Sequence, residues 1–314
     1  MAERPSMHDD EVPIDAGLVR RLVDEQLPEW RDEPIREVVH DGTVNAIYRL
    51  GSGLAVRLPL QSADPEVSAD MLAREVSAMR ELAGCCPVAT PHPAAQGVPA
   101  QGYPLPWSVQ TWLPGEVATP DGLASSAVFA QDLVALLTAL RSADTKGRRF
   151  AGSGRGGDLL DSDGWMDTCF ASSEGLLPVD DMRALWAVFR ALPPAGPDVM
   201  SHSDLTPANL LVEGEHLVGV LDGGGFGPAD PALDLIAAWH LLDAEPRAVV
   251  RAGLRCGDVE WRRGAAWAFE QCMGIVWYYR ESNPGMSALG RSTLRRIAED
   301  PELAALAGLL SPPQ

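Results

Sequence analysis

Lysine is all but missing from this 314-residue chain: Lys146 is the only one, and every other formal side-chain cation is an arginine. Together with the heavy use of Ala, Gly and Pro, that reads as genome composition rather than function. Any positive role elsewhere falls to a guanidinium, which stays charged and can grip an oxyanion with two parallel N–H groups. Long apolar runs are also missing. Nothing approaches the ~18 consecutive apolar residues of a membrane-spanning helix. The first residues, MAERPSMHDDEV, lack the basic-then-apolar layout of a signal peptide, and Ala2 stands where myristoylation needs glycine. The expectation is a cytoplasmic protein. Cysteine is scarce and unpatterned: there are five, with Cys85 and Cys86 adjacent and no C-x-x-C. That excludes a disulfide framework or zinc site and leaves buried reduced thiols. Aromatic residues make up only 6%, yet nine of them are tryptophan, so a few large anchors carry much of the packing.

What is present in excess is negative charge. The net charge of -19 and pI near 4.6 exclude nucleic acid and anionic membranes as partners. The same field concentrates cationic small molecules, or serves solubility alone. With 46% hydrophobic residues the chain can build a substantial core in two domains or lobes.

Hydrophobic spacing sets the order of elements. Residues 14–30 have helical spacing, with Leu18, Leu22 and Leu27 on one side. Residues 35–60 alternate and are broken at Asp41-Gly42 and Gly51-Ser52-Gly53, which predicts a three-stranded antiparallel meander. A helix is predicted over 67–83, then a Pro-rich connection (87–106), then the strand WSVQTWL, which stops at Pro114-Gly115. Residues 122–142 are helical, 146–164 form a polar loop, and helical segments continue to about 192. Two short strands around 210–212 and 217–221 flank a turn, and the rest, from 231, is mostly helix.

The chemistry lies in His202-Ser203-Asp204-Leu205-Thr206-Pro207-Ala208-Asn209. The pattern H-x-D-L-x-x-x-N is that of a kinase catalytic loop, in which the Asp accepts the hydroxyl proton and the Asn holds metal. Chance would produce it in roughly one chain of this length in a thousand. Asp222 follows at the end of an apolar strand, before Gly223-Gly224-Gly225, the place of a second metal ligand ahead of residues that let the backbone turn sharply. Phosphoryl transfer needs these types: a carboxylate to take the proton, and hard oxygen donors for Mg2+ beside the phosphates of ATP or GTP.

The segment HSDLTPANLLV…LVGVLDGGGFGPADPALDLIAAWHLL resembles the core of the aminoglycoside phosphotransferase family, H-G-D-L-x-x-x-N, an apolar strand, D, then G-D-P-x-x-D-L-A. Weaker likeness appears in TVNAIYRL, LAVRLP, WLPGE and WYYRESNP. The resemblance implies an α+β, two-lobed protein-kinase-like fold. Residues 1–108 form a small antiparallel-sheet N-lobe that binds nucleotide, 109–113 the hinge, and 114–314 a larger, mainly helical C-lobe for catalysis and substrate. It implies that Asp204 is the base and that Asn209 and Asp222 bind magnesium. His202 buttresses the loop, Asp234 braces it from a helix, and Asp230 is structural, a cap before Pro231. Arg57 stands where a kinase has its phosphate-contacting Lys, with Glu75 as its ion-pair partner and Glu81 as the rival for that role. Main-chain groups of Thr111 and Leu113 bind the base edge.

Two departures from the pattern matter. Ser203 replaces the usual glycine, which a serine can do with a negative φ. No G-x-G-x-x-G is present, and Asp41-Gly42-Thr43-Val44-Asn45 takes its place, with the Thr43 hydroxyl over the triphosphate. The loop 152–157, GSGRGG, lacks a preceding strand and a P-loop Lys and reads as a flexible loop bordering the acceptor site. Asp158, Asp161, Asp163, Trp165, Glu270, Trp277, Tyr278 and Glu281 are candidates to hold a substrate, or else a solvated acidic face and core aromatics. The acceptor implied is a small-molecule antibiotic. A kinase for an endogenous metabolite and a nucleotide-binding protein without catalysis are the alternatives.

Overall fold

Alternation decides the first strands, and caps decide the first helices. A computed structural model of the chain describes residues 12–38, 45–61, 64–152 and 154–309. These fall into two compact units, one drawn from Met1–Gly84, Ala89–Pro114 and Val220–Gly225, the other from Cys85–Val88, Gly115–Gly219 and Phe226–Gln314.

In the first unit, helix α1 (Ala16–Gln26) starts at Asp15, whose Oδ1 accepts the Leu18 N–H at 2.7 Å. It is shorter than its apolar spacing predicts: Leu27 precedes Pro28 and is pushed out of the helical region, and a 3-10 turn (Pro28–Trp30) follows. Strands β1 (Ile35–Glu37), β2 (Asn45–Leu50) and β3 (Leu54–Pro59) form the expected meander. Ala46, Tyr48 and Leu50 of β2 point inward, the period of two that the sequence shows. Helix α2 (Pro65–Ala83) begins two residues early because Asp64 caps it and Pro65 fits its first turn. The Pro-rich connection hides a strand, β4 (Pro93–Gly97), beside β5 (Trp107–Thr111). The sheet order is β1-β2-β3-β5-β4, antiparallel throughout. Its apolar face and α1 enclose Leu22, Val23, Tyr48, Val56, Leu58, Trp107 and Val109. Each fully buried aliphatic side chain contributes roughly 2 kcal/mol there.

The second unit is mostly helical. Its order is β6 (Glu116–Val117), α3 (Pro120–Leu123), α4 (Ala127–Ser142), α5 (Asp163–Ser172), α6 (Val179–Phe189), β7 (Val199–Ser201), β8 (Leu210–Glu213) and β9 (His216–Val220). Then come β10 (Gly227–Ala229), α7 (Ile236–Leu241), α8 (Ala244–Leu254), α9 (Asp258–Tyr278), α10 (Pro284–Ala298) and α11 (Pro301–Leu306). The region 122–142 is two helices because Ser126 turns the chain and caps α4, accepting the Phe129 N–H at 3.0 Å. Two small sheets, β6-β8-β9 and β7-β10, carry the motif segment. Helix α9 is buried around most of its circumference by Trp261, Trp267, Phe269, Cys272 and Met273, and so forms the axis of this unit.

Candidate active site

Strand β7 delivers the chain to the motif loop, and one buried carboxylate fixes the loop's backbone. Asp234 Oδ1 accepts the Ser201 hydroxyl at 2.9 Å and the Ser203 N–H at 3.0 Å, while its Oδ2 accepts the His202 N–H at 2.8 Å. With Asp234 only 4% exposed, three donors are what its burial requires. Asp230 does more than cap: besides the Ala232 N–H at 2.9 Å, it pairs with buried Arg263 at 2.5 Å and accepts Trp267 Nε1–H at 2.9 Å. His202 is fully buried.

Ser203 overturns the expectation of a negative φ. Its φ is +73°, in the left-handed region that favours glycine. The braced loop imposes a conformation that a serine adopts at a cost of about 1 kcal/mol.

The strained turn presents Asp204 to three side-chain donors. Arg155 donates to Oδ1 at 3.0 Å and Gln271 to the same oxygen at 3.1 Å. Asn209 Nδ2 reaches Oδ2 at 3.1 Å and the Asp204 carbonyl at 2.8 Å. Asn209 thereby spends its N–H groups on the Asp204 residue and keeps its amide oxygen, a hard donor of the kind magnesium takes. Gln271 is itself held: its Oε1 lies 2.9 Å from Nε2 of His240, whose Nδ1 lies 2.9 Å from Thr293 Oγ1. Burial drives the His240 pKa down to about 4, so this ring is neutral at pH 7.

Asp204 opens onto a cavity of about 680 Å³, lined by Arg155, Trp165, Glu270, Gln271, Tyr278 and Tyr279 among others. Its size is that of a small-molecule site. Among the described residues, Arg155 is its one cationic lining residue, and Glu270 and Asp204 its carboxylates. Glu270 is 8% exposed; burial raises its pKa, while the Arg155 charge and the Ser162 hydroxyl at 3.4 Å pull it down. Of the acceptor-site candidates, Trp165, Glu270 and Tyr278 line the cavity, and Trp277 packs on Trp165 with ring centroids 6.0 Å apart. Asp163 is instead tied to Arg190 and to Trp186 Nε1–H, and Asp158 caps the 3-10 turn that follows it. Asp161 and Glu281 are not among the lining residues.

The loop that carries Arg155 is not free along its length. Gly156, at φ +115°, is where a β-carbon would meet Ala229, Phe150 and Leu233 at 3.0–3.1 Å. Its carbonyl accepts the Asp230 N–H at 2.8 Å, and the Gly157 carbonyl accepts from Arg263 at 3.2 Å. The expectation of a flexible loop fails on this side. Arg155 lay in the loop expected to border the acceptor site but was not itself singled out, and Gln271 did not stand out in the sequence. Gln271 shares an α9 face with Gly274, Ile275 and Tyr278, a helical spacing that links them to each other but not to Asp204.

In the first unit, Arg57 on β3 makes its ion pair with Asp222, Nη2 to Oδ1 at 2.7 Å, and not with Glu75. Its Nη1 lies 3.5 Å from Gln110 Oε1. Glu75 acts at longer range: burial raises its pKa, the Arg57 charge lowers it and the Asp222 charge raises it again. The reason lies in the glycines after Asp222. A β-carbon on Gly223 would meet Leu82 at 2.4 Å, and one on Gly224 would meet Glu75 at 3.0 Å, so the segment lies directly against α2. The left-handed residue is Asp222 itself, φ +56°, rather than a following glycine.

Strand polarity fixes which way the backbone groups at the end of β5 point. The Thr111 N–H donates to His92 O at 2.9 Å, and the Trp112 N–H to Gly53 O at 2.8 Å. By alternation, the Thr111 carbonyl and the Leu113 N–H face the side away from β3. The Thr111 N–H is therefore spent within the fold. Thr43 lies outside the described residues.

A family model described as the phosphotransferase enzyme family, APH, matches residues 36–267. No curated protein matches. Among solved structures, the GDP and kanamycin complex of APH(2")-IIia has a TM-score of 0.64 at 17% identity, covering 91% of this chain and 98% of that one. Macrolide 2'-phosphotransferase MphH from Brachybacterium faecium has a TM-score of 0.57 at 21% identity, covering 94% of this chain and 99% of its own. The streptomycin-ATP-APH(2")-IIa ternary complex has a TM-score of 0.58 at 17% identity, covering 90% and 97%. At these identities the likeness shows the fold, the kinase-like α+β fold that the resemblance implies.

Proposed function

The chain belongs to the phosphotransferase enzyme family, and we propose that it moves the γ-phosphoryl group of ATP or GTP to a hydroxyl of a small-molecule antibiotic, inactivating it and so conferring resistance. The observation that carries this reading is Asp204, a carboxylate held by Asn209, Gln271 and Arg155 where it opens onto the cavity. Held this way, it can accept a proton from a hydroxyl seated there, as general-base catalysis requires. The acceptor oxygen then bonds to the γ-phosphorus as the bond to the nucleoside diphosphate breaks, and the diphosphate leaves with the electron pair. That antibiotics are the acceptors is supported by the family and by the kanamycin, gentamicin and streptomycin bound to proteins of this fold.

The remaining roles follow from donor chemistry. Asn209, through its amide oxygen, and Asp222, through its carboxylate, suit a magnesium ion, which when bound neutralises phosphate charge. Arg57 grips phosphate oxygens, exchanging Asp222 for them, and Glu75 supports Arg57 through space rather than by contact. The Thr111 carbonyl and Leu113 N–H receive the base. Residues 1–108 act as the nucleotide lobe, 109–113 as the hinge, and 114–314 as the catalytic and substrate lobe.

The test is an ATP- and GTP-consumption screen of the purified protein across aminoglycoside, macrolide, peptide and nucleoside antibiotics, with mass spectrometry of the product. The expected result is one class that gains a phosphate. Nucleotide binding with no transfer to any acceptor would return the chain to the non-catalytic reading.

A further inference from the structure

We propose that Arg155 is a catalytic residue that holds the phosphoryl group as it arrives on the acceptor oxygen; this rests on the phosphotransferase reading above. Charge arithmetic motivates it. The proposed reaction places a phosphate with nearly two negative charges beside Asp204, which takes the hydroxyl proton, in a cavity that also holds the Glu270 carboxyl group. Uncompensated, such a product is repelled from where it forms. Among the described residues Arg155 is the one cation lining the cavity, and its guanidinium is 3.0 Å from the oxygen of Asp204 that the acceptor hydroxyl needs. Its side chain is 24% exposed, reachable but enclosed, where a guanidinium–phosphate contact is worth more than in open water.

The backbone suits the task. Gly156 and Gly157 are fastened to the core through Asp230 and Arg263, so the base of the Arg155 side chain is held in register with β10 and α9. A rotation of the Arg155 side chain away from Asp204 leaves that anchor intact, because Gly156 and Gly157 are held through their backbone carbonyls. When the acceptor hydroxyl takes Oδ1 of Asp204, Arg155 passes to the phosphoryl oxygens, where its fork of donors fits two of them. The proton goes to Asp204, the acceptor O–P bond forms, and the bond to the nucleoside diphosphate breaks. Arg155 is neither oxidised nor deprotonated. It compensates charge that is greatest during and after transfer, which raises kcat rather than nucleotide affinity.

The experiment uses the full chain with magnesium ATP, reading phosphate release to water and transfer to whichever acceptor the screen finds. Arg155→Gln keeps an N–H donor for Asp204 but removes the charge. It is expected to lower kcat about 10²–10³-fold, with the KM for magnesium ATP within about twofold. Arg155→Ala is expected to recover activity with low millimolar guanidinium, which a purely structural residue would not show. Should Arg155→Gln fail to fold, guanidinium rescue of Arg155→Ala and the kcat of Arg155→Lys decide the matter. A kcat within about threefold of wild type in Arg155→Gln, or in a folded Arg155→Ala without guanidinium, would overturn the assignment. A wild-type protein that transfers phosphate to nothing would overturn the underlying reading instead, and this proposal with it.

Discussion

Arg57 and Asp222 lie 165 residues apart in sequence, yet the Arg57 guanidinium donates to the Asp222 carboxylate at 2.7 Å. The pair joins strand β3 to the turn after β9. The arginine proposed to grip phosphate and the carboxylate proposed to hold magnesium thus hold each other. The Asp222 side chain is 49% exposed, so the pair itself adds little to stability, about 1 kcal/mol or less.

That sets the first prediction. Arg57→Ala should raise the Kd for magnesium ATP about 10–100-fold, the value of a charge-assisted contact, while moving the melting temperature little. Arg57→Lys should retain part of the affinity. Asp222→Ala should weaken nucleotide binding only when magnesium is present. Titration calorimetry with and without the metal reads all three, and an Arg57→Ala protein with wild-type affinity would remove Arg57 from the nucleotide site.

Asp204→Asn tests the base. The amide preserves the size and hydrogen-bonding reach of the carboxylate but accepts no proton, so transfer should fall by about 10²–10⁴-fold. Nucleotide affinity should remain measurable. Transfer at the wild-type rate would take Asp204 out of its role.

Ser203 carries a testable strain. Ser203→Gly should stabilise the protein by about 0.5–1 kcal/mol, since glycine reaches φ +73° without the β-carbon penalty. Ser203→Ala should give no such gain, because alanine has the same penalty. Thermal melts of the two variants decide this, and a glycine variant melting below wild type would show that the hydroxyl contributes more than the strain costs.

His240 sets an acid limit. Its pKa of about 4 in the folded chain lies below its ordinary value of 6.5, so the unfolded chain binds the proton first. Stability is whole above pH 6.5 and falls as pH drops toward 4, by about 3 kcal/mol at that end. The raised carboxyls of Glu75 and Glu270 act in the opposite direction near the lower end. His240→Asn isolates the imidazole: it should melt lower than wild type at pH 7.5 but lose less between pH 6.5 and 4. Parallel losses in both proteins would refute the assignment.

The spacing of Asp204 and Asn209, the apolar strand ahead of Asp222 and the β2–β3 alternation are local patterns, so they were legible residue by residue. The hidden strand β4 was not, because it lies in a Pro-rich stretch and opens on Pro93, and its place at the sheet edge is a tertiary matter. Nor was the partner of Arg57. Glu75 was the reasonable choice from the succession of strand and helix, but the approach of Gly223 and Gly224 to α2 put Asp222 within reach first.

The sequence by itself determined the residue types on offer: the carboxylates Asp204 and Asp222, the amide of Asn209, and arginine at every cation but one, because residue types and short spacings are written in the chain. The tertiary structure alone decided who touches whom. It brought Arg155 and Gln271 onto Asp204, placed Ser203 and Asp222 in left-handed turns, and set a cavity beside Asp204. These follow from the packing of α9, the bracing by Asp234 and the approach of residues 223–224 to α2, contacts between residues far apart in sequence that no local period encodes.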